Sequence, residues 1–212
     1  MPRLVVNQWL GSLRRVFWLV VLIWTLQAVN SAYGMNFNAL GIYPRDWQGL
    51  SGIFIWPLLH ANVVHLLMNT VPLLIFGFFV ALRGTGAFIK ATLLIVIVGG
   101  LGVWIFGRPA YHIGASGLVF GYLGFLLAVG IYEKRLGSLL VGAMMLFYYG
   151  GMIFGVLPQN GFVSWEGHLS GLLAGVLAAR LLARPERPER PERPERPGRP
   201  ERPERPGRPE RK

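Results

Sequence analysis

Runs of about twenty apolar residues separated by short polar breaks occupy most of this chain, at 16–34, 57–82, 88–106, 114–132, 136–157 and 164–183. Each is long enough to cross a hydrocarbon core ~30 Å thick as a helix. The pattern predicts an all-α integral membrane protein, a six-helix bundle over 16–183 with a short segment 1–15 ahead of it and a tail 184–212 behind. The first run is longer than the apolar core of a secretory leader and lacks a good small-residue cleavage site, so it is read as a retained span. In the second run Pro57 suits a helix start, whereas Pro72 removes a helical hydrogen bond and should bend the span below Asn69.

Charge orients these spans. The formal charge of +11 would point to nucleic acid in a soluble protein, but here the basic residues follow the breaks. Arg3, Arg14 and Arg15 precede the first span, Arg83 and Lys90 flank the second break, Lys134 and Arg135 the fourth, and Arg180 and Arg184 close the sixth. The opposite loops hold only Arg45 and Arg108, so both termini are expected in the cytoplasm and no nucleic-acid partner is expected. The chain has no cysteine, which excludes disulfides and thiolate metal sites. From 184 onward Arg-Pro-Glu repeats, with Gly in place of Glu at 198 and 207. Proline at every third position favours polyproline II with an arginine stripe, an arm whose attraction to anionic lipid is weakened by its glutamates. The loop from Met35 to Trp56 carries Trp47, Phe54 and Trp56, rings suited to the headgroup layer.

Polar side chains inside the spans are few, and each is costly in lipid unless it faces the bundle interior. The second span holds His60, His65 and Asn69, with His65 and Asn69 four apart on one helix face. The fourth begins Gly114-Ala115-Ser116-Gly117, and the sixth carries Gly167, Gly171 and Gly175 at spacings of four, with His168 beside the first. Taken singly, these are packing features: an interhelical clamp, a serine among glycines, a smooth glycine face. Apposed on the faces of Gly117–Gly121 and Gly171–Gly175, the fourth and sixth spans would bring Ser116 and His168 together. Ser116 stands 17 residues before Glu133, His168 16 before Arg184, and His65 and Asn69 18 and 14 before Arg83. At about 1.5 Å per residue all four lie roughly 21–27 Å above the inner boundary. A hydroxyl and an imidazole at one depth suggest nucleophilic catalysis, because neutral imidazole is the natural base near neutral pH.

These residues carry a resemblance. His60 to Asn69 (His-x4-His-x3-Asn), Gly114 to Gly117 (Gly-x-Ser-Gly) and Gly167 to Gly171 (Gly-His-x3-Gly), in this order on the second, fourth and sixth spans, resemble the rhomboid intramembrane serine proteases. The resemblance covers residues 16–183 and implies a six-helix rhomboid-like bundle in which Ser116 is the nucleophile and His168 its general base. It implies oxyanion roles for Asn69 and His65 and a structural role for His60. The Ser116 backbone N–H near a helix start is a further oxyanion donor. Gly114, Gly117 and Gly171 support these positions, and Phe120, one turn after Ser116, is placed to pack against the His168 ring. Arg45-Asp46-Trp47 is similar in character to the family's first outer loop without a strict Trp-Arg order. Outside the tail the carboxylates are Asp46, Glu133 and Glu166, none well placed to complete a triad, so a Ser-His dyad is expected. His112, four residues before Ser116, is an alternative base expected to lie nearer water.

The activity implied is hydrolysis of peptide bonds in or near transmembrane helices of other membrane proteins, with no cofactor or metal. Lateral entry is expected beside Met144, Phe147, Tyr148 and Phe154, with the loop from Pro158 to Trp165 as a lid. The compact core suggests a prokaryotic inner membrane. Two other classes stay open: a non-catalytic membrane protein using His65 and His168 for haem, metal or proton relay, and an inactive rhomboid-like binder of helices. Substrate, cleavage position and oligomeric state are not written in these features.

Overall fold

The computed structural model describes residues 2–158, 161 and 163–184; the Arg-Pro-Glu repeat from 185 onward lies outside the described residues. Six long helices follow one another: α1 (Pro2–Ala32), α2 (Val63–Ala81), α3 (Thr85–Phe106), α4 (Ser116–Glu133), α5 (Leu136–Tyr149) and α6 (Trp165–Leu182). Helix α1 begins well before the apolar run at 16, so residues 2–15 are part of one continuous rod. Its early turns are tied down: Ser12 donates to Gln8 O, and Arg15 donates to Ala81 O and Ser12 Oγ. Helix α3 passes through a π turn at Ile95–Gly99, and α5 continues as a 3-10 segment, Gly150–Val156.

Among the described residues, five helices are long and apolar enough to cross a membrane: Val5–Ala32, Val63–Ala81, Thr85–Phe106, Ser116–Glu133 and Leu136–Val156. The sixth expected span is also an 18-residue helix, but Glu166, His168 and Arg180 dilute its apolarity. Its inward side is lined by Gly171, Ala174, Gly175, Ala178 and Ala179, all buried, so this face meets protein, while Leu173, Leu177 and Leu181 on the other face stand exposed.

The core sits around α4, which is enclosed by its neighbours; 78% of its span is buried, against 11% for α5. Leu118, Val119, Tyr122, Leu123, Phe125 and Leu126 are fully or almost fully covered. Such all-round burial of an apolar helix fits a central pillar. Tyr122 inside it meets Thr92 of α3 through a hydroxyl–hydroxyl bond of 2.6 Å, so the phenol is satisfied within the hydrocarbon layer.

Contact between α4 and α6 is backbone to backbone. A Cβ at Gly171 would lie 2.1 Å from Gly117 O, and one at Gly175 1.9 Å from Gly121 O. Small residues are what let helices approach this closely in lipid. The loop before α2 differs from its expected role: Trp47 and Phe54 are exposed, but Trp56 is 1% exposed. Its ring occupies the place a Cβ at Gly117 would fill, 1.9 Å from Cη2, so it is a core residue at the head of α4.

Gly175→Ala should force α4 and α6 apart and destabilise the fold by about 1–3 kcal/mol. Gly86→Ala, whose new methyl meets nothing within 4 Å, should leave stability unchanged or raise it by up to about 1 kcal/mol. Thermal unfolding of the two variants in detergent compares them directly.

Candidate active site

Three strands of chain converge on the head of α4. Gly114 takes φ +121°, a conformation open to glycine, and the turn it makes is pinned on both sides. Its N–H donates to Trp56 O (2.8 Å), and the Ala115 N–H donates to His60 Nε2 (3.1 Å). His60 is fully buried and packs edge-on against His65 at 5.1 Å between ring centroids. Its ring nitrogen thus anchors the loop ahead of α4. Ser116 opens the helix, so the first amides of α4 are not committed to the i→i−4 ladder. A Cβ at Gly114 would lie 2.7 Å from His65 Cε1 and 3.6 Å from Ser116 Oγ. The missing side chain thus leaves a hollow bounded by the His65 ring and the Ser116 hydroxyl.

Helix α2 supplies His65 and Asn69. Asn62 caps its start by accepting the His65 N–H at 2.8 Å. Asn69 is 6% exposed, and its Nδ2 donates to His65 O at 2.9 Å, one turn back on the same helix. An amide nitrogen carries two hydrogens, so one remains for another acceptor.

Helix α6 supplies His168. Its ring stacks on Phe120 at 4.2 Å and 11°, as the one-turn offset of Phe120 from Ser116 suggested. His168 Nδ1 lies 2.9 Å from Gly155 O, in the 3-10 segment after α5. A carbonyl only accepts, so Nδ1 carries the proton, and in the neutral ring Nε2 keeps its lone pair. Among the described residues no hydrogen bond joins Ser116 to His168; the imidazole lies against the face of α4 that begins at Ser116.

The three carboxylates outside the tail are engaged elsewhere. Asp46 caps Gln48 N (2.8 Å), Glu166 lies on Arg108, 3.6 Å from Nε, and Glu133 is at the other end of the bundle, paired with Arg83. His112 is not the solvent-side residue expected. It is 2% exposed because the loop that carries it is sewn to its neighbours, with His112 N–H on Ile42 O (2.8 Å) and Ile42 N–H on His112 O (3.1 Å). Burial pushes its imidazole below the ordinary range. Its Nε2 faces Arg108 O (3.0 Å) and must donate, so Nδ1 accepts the Ser164 hydroxyl at 2.6 Å. Ser164 in turn caps α6, accepting the Gly167 N–H at 3.1 Å. One chain of bonds therefore links the loop before Ser116 to the helix start before His168.

A family model described as the Rhomboid domain matches residues 47–185. The chain belongs to the rhomboid family. This rhomboid is 43% identical over 189 residues to an uncharacterized protein of Mycobacterium tuberculosis, covering 85% of the chain and 79% of that relative. It is 41% identical over 192 residues to one of Mycobacterium leprae, covering 82% and 76%. It is 31% identical over 157 residues to the rhomboid protease GluP of Bacillus subtilis, covering 73% of the chain and 30% of that protein.

Reading the sequence missed Ser164, Trp56 and the Gly155 carbonyl. Ser164 had a signal, a serine just ahead of a helix whose first turn holds Glu166; a backbone carbonyl has none. Ser164→Ala should remove the α6 cap at a cost of about 1 kcal/mol. Amide hydrogen exchange at Gly167 and His168 should then quicken while that of α4 stays slow.

Proposed function

We propose that this rhomboid is an intramembrane serine endopeptidase of a prokaryotic inner membrane, cleaving transmembrane helices of other membrane proteins through Ser116 and His168. The observation that carries the reading is the Gly155 carbonyl on His168 Nδ1, which fixes the tautomer and leaves Nε2 as acceptor. With Phe120 holding the ring plane, the base is oriented by a carbonyl and a stacked ring in place of the carboxylate of a triad.

In the reaction Ser116 Oγ passes its proton to His168 Nε2 as it attacks the scissile carbonyl. The negative charge collects on the carbonyl oxygen, met by the Ser116 N–H at the helix start, the second Asn69 N–H and the His65 ring bordering the same hollow. His168 then gives its proton to the departing amine, and water repeats the sequence on the acyl-enzyme. A Ser–His contact tightens when substrate arrives, as is common for catalytic hydrogen bonds. Substrate enters beside α5, the least covered span, where Phe147, Tyr148 and Phe154 stand exposed. The expected lid, 158–165, includes residues 159, 160 and 162, which lie outside the described residues.

Labelling by a fluorophosphonate and cleavage of a reconstituted transmembrane substrate test the assignment. Ser116→Ala should abolish both, and His168→Ala should lower cleavage by at least about 1,000-fold. Labelling or cleavage that persists in Ser116→Ala overturns the proposal. Asn69→Ala should lower turnover by about 100- to 1,000-fold with the fold intact, and a covalent cross-link between α2 and α5 should block cleavage.

A further inference from the structure

One buried side chain lies against the heads of α4 and α6 at once. Trp56 has its ring atoms Cη2 and Cζ3 where a Cβ at Gly117, next to Ser116, would stand. A Cβ at Gly167, next to His168, would lie 3.4 Å from the same Cζ3. The Trp56 carbonyl accepts the Gly114 N–H at 2.8 Å, so this residue also holds the turn that leads into Ser116. Turn, nucleophile helix and base helix therefore all take their positions from Trp56.

The indole has no room to recede. Behind it Ile42, Ile53 and Val103 are at most 3% exposed and form with Trp56 a small core separate from the main one. Helix α3 steers the edge of the ring: Nε1 donates to Val96 O, a long bond of 3.4 Å, within the π turn Ile95–Gly99. The same turn sets Gly99 beside Gly171, with a Cβ at Gly99 3.4 Å from the Gly171 Cα, so α3 braces the indole and α6 together. π turns inside α-helices are frequent at functional sites. Because close-packed interiors transmit changes of volume, the size of this rigid ring governs the separation of the two helix heads.

We propose, on the serine-protease reading of this site, that Trp56 is a positioning residue for the Ser116–His168 chemistry. Its indole is the spacer between the heads of α4 and α6, and its carbonyl anchors the Gly114–Ser116 turn. It acts through Gly117 and Gly167, which have no side chain to absorb a change in ring size. A misplacement of about 1 Å between reacting groups costs on the order of 100-fold in rate, so the spacer is felt in turnover before it is felt in substrate binding.

Cleavage of a reconstituted transmembrane substrate, the rate of fluorophosphonate labelling and thermal unfolding are measured on the full chain. Trp56→Phe shortens the ring and should lower kcat by about 10- to 100-fold, with KM within about twofold of wild type. Gly117→Ala should also lose turnover, because its methyl meets the indole. In the double variant the methyl takes up space the shorter ring vacates, so turnover should recover above that of either single change. Phe88→Leu, a core change at the opposite end of α3, should lower the unfolding temperature and leave kcat unchanged, which separates spacing from stability. Where Trp56→Phe does not fold, Trp56→Met, which fills the gap with a flexible chain, takes its place with the same fall in kcat expected. A wild-type kcat in a folded Trp56 variant, or a double variant that folds well yet is no more active than the single ones, overturns the spacer. Labelling that survives Ser116→Ala overturns the nucleophile instead, and the two failures are distinct because the Trp56 variants slow labelling without abolishing it.

Discussion

With the Gly171 and Gly175 backbones set against the carbonyls of Gly117 and Gly121, α4 and α6 approach more closely than any side chain would permit. Inside a bilayer there is no water to expel, so this contact rests on dispersion between well-matched surfaces. It also sets height. Because the touching atoms are backbone, the helices cannot slide without collision, and the first residues of both are held level. Ser116 and His168 inherit their relative position from that register, and Phe120 completes it from one turn below.

Polar chemistry is sorted toward the two ends of this rod. At the head, His60, His112, Ser164 and the Arg108–Glu166 pair hold loops to helix starts. At the foot, Glu133 gathers Arg83, Ser138 and the Arg184 amide, drawing together α2, α4, α5 and the end of α6. Between them the polar groups are few and locally satisfied, as Trp24 with Thr70 and Thr92 with Tyr122 illustrate. A buried ion pair contributes little net stability after desolvation but is costly to break. Its value at the foot is to fix which helix ends meet.

The spans were legible because an apolar run of bilayer length has few other uses, and the residues now at the head of α4 and α6 were legible from glycine spacing and depth. What escaped has physical causes. Trp56 looked like an interfacial ring because its burial depends on Gly117, some sixty residues away. His112 looked solvent-facing because the bridge to Ile42 that covers it is made by backbone atoms. The π turn in α3 lies among valines and isoleucines that read as ordinary helix. The backward hydrogen bond of Asn69 to His65 O depends on a rotamer that spacing does not encode.

The Gly155 carbonyl lies in the 3-10 extension of α5, the span least anchored in the bundle, yet it holds the imidazole ring of α6 in place through a single 2.9 Å bond. A displacement of about one ångström at that segment breaks the bond and leaves Nδ1 without its acceptor. The protonation pattern of His168 is thus thermodynamically linked to the position of α5. Loosening that helix and changing which ring nitrogen carries the hydrogen are two views of one equilibrium, so lipid pressure on an exposed helix can be felt at a histidine it does not touch.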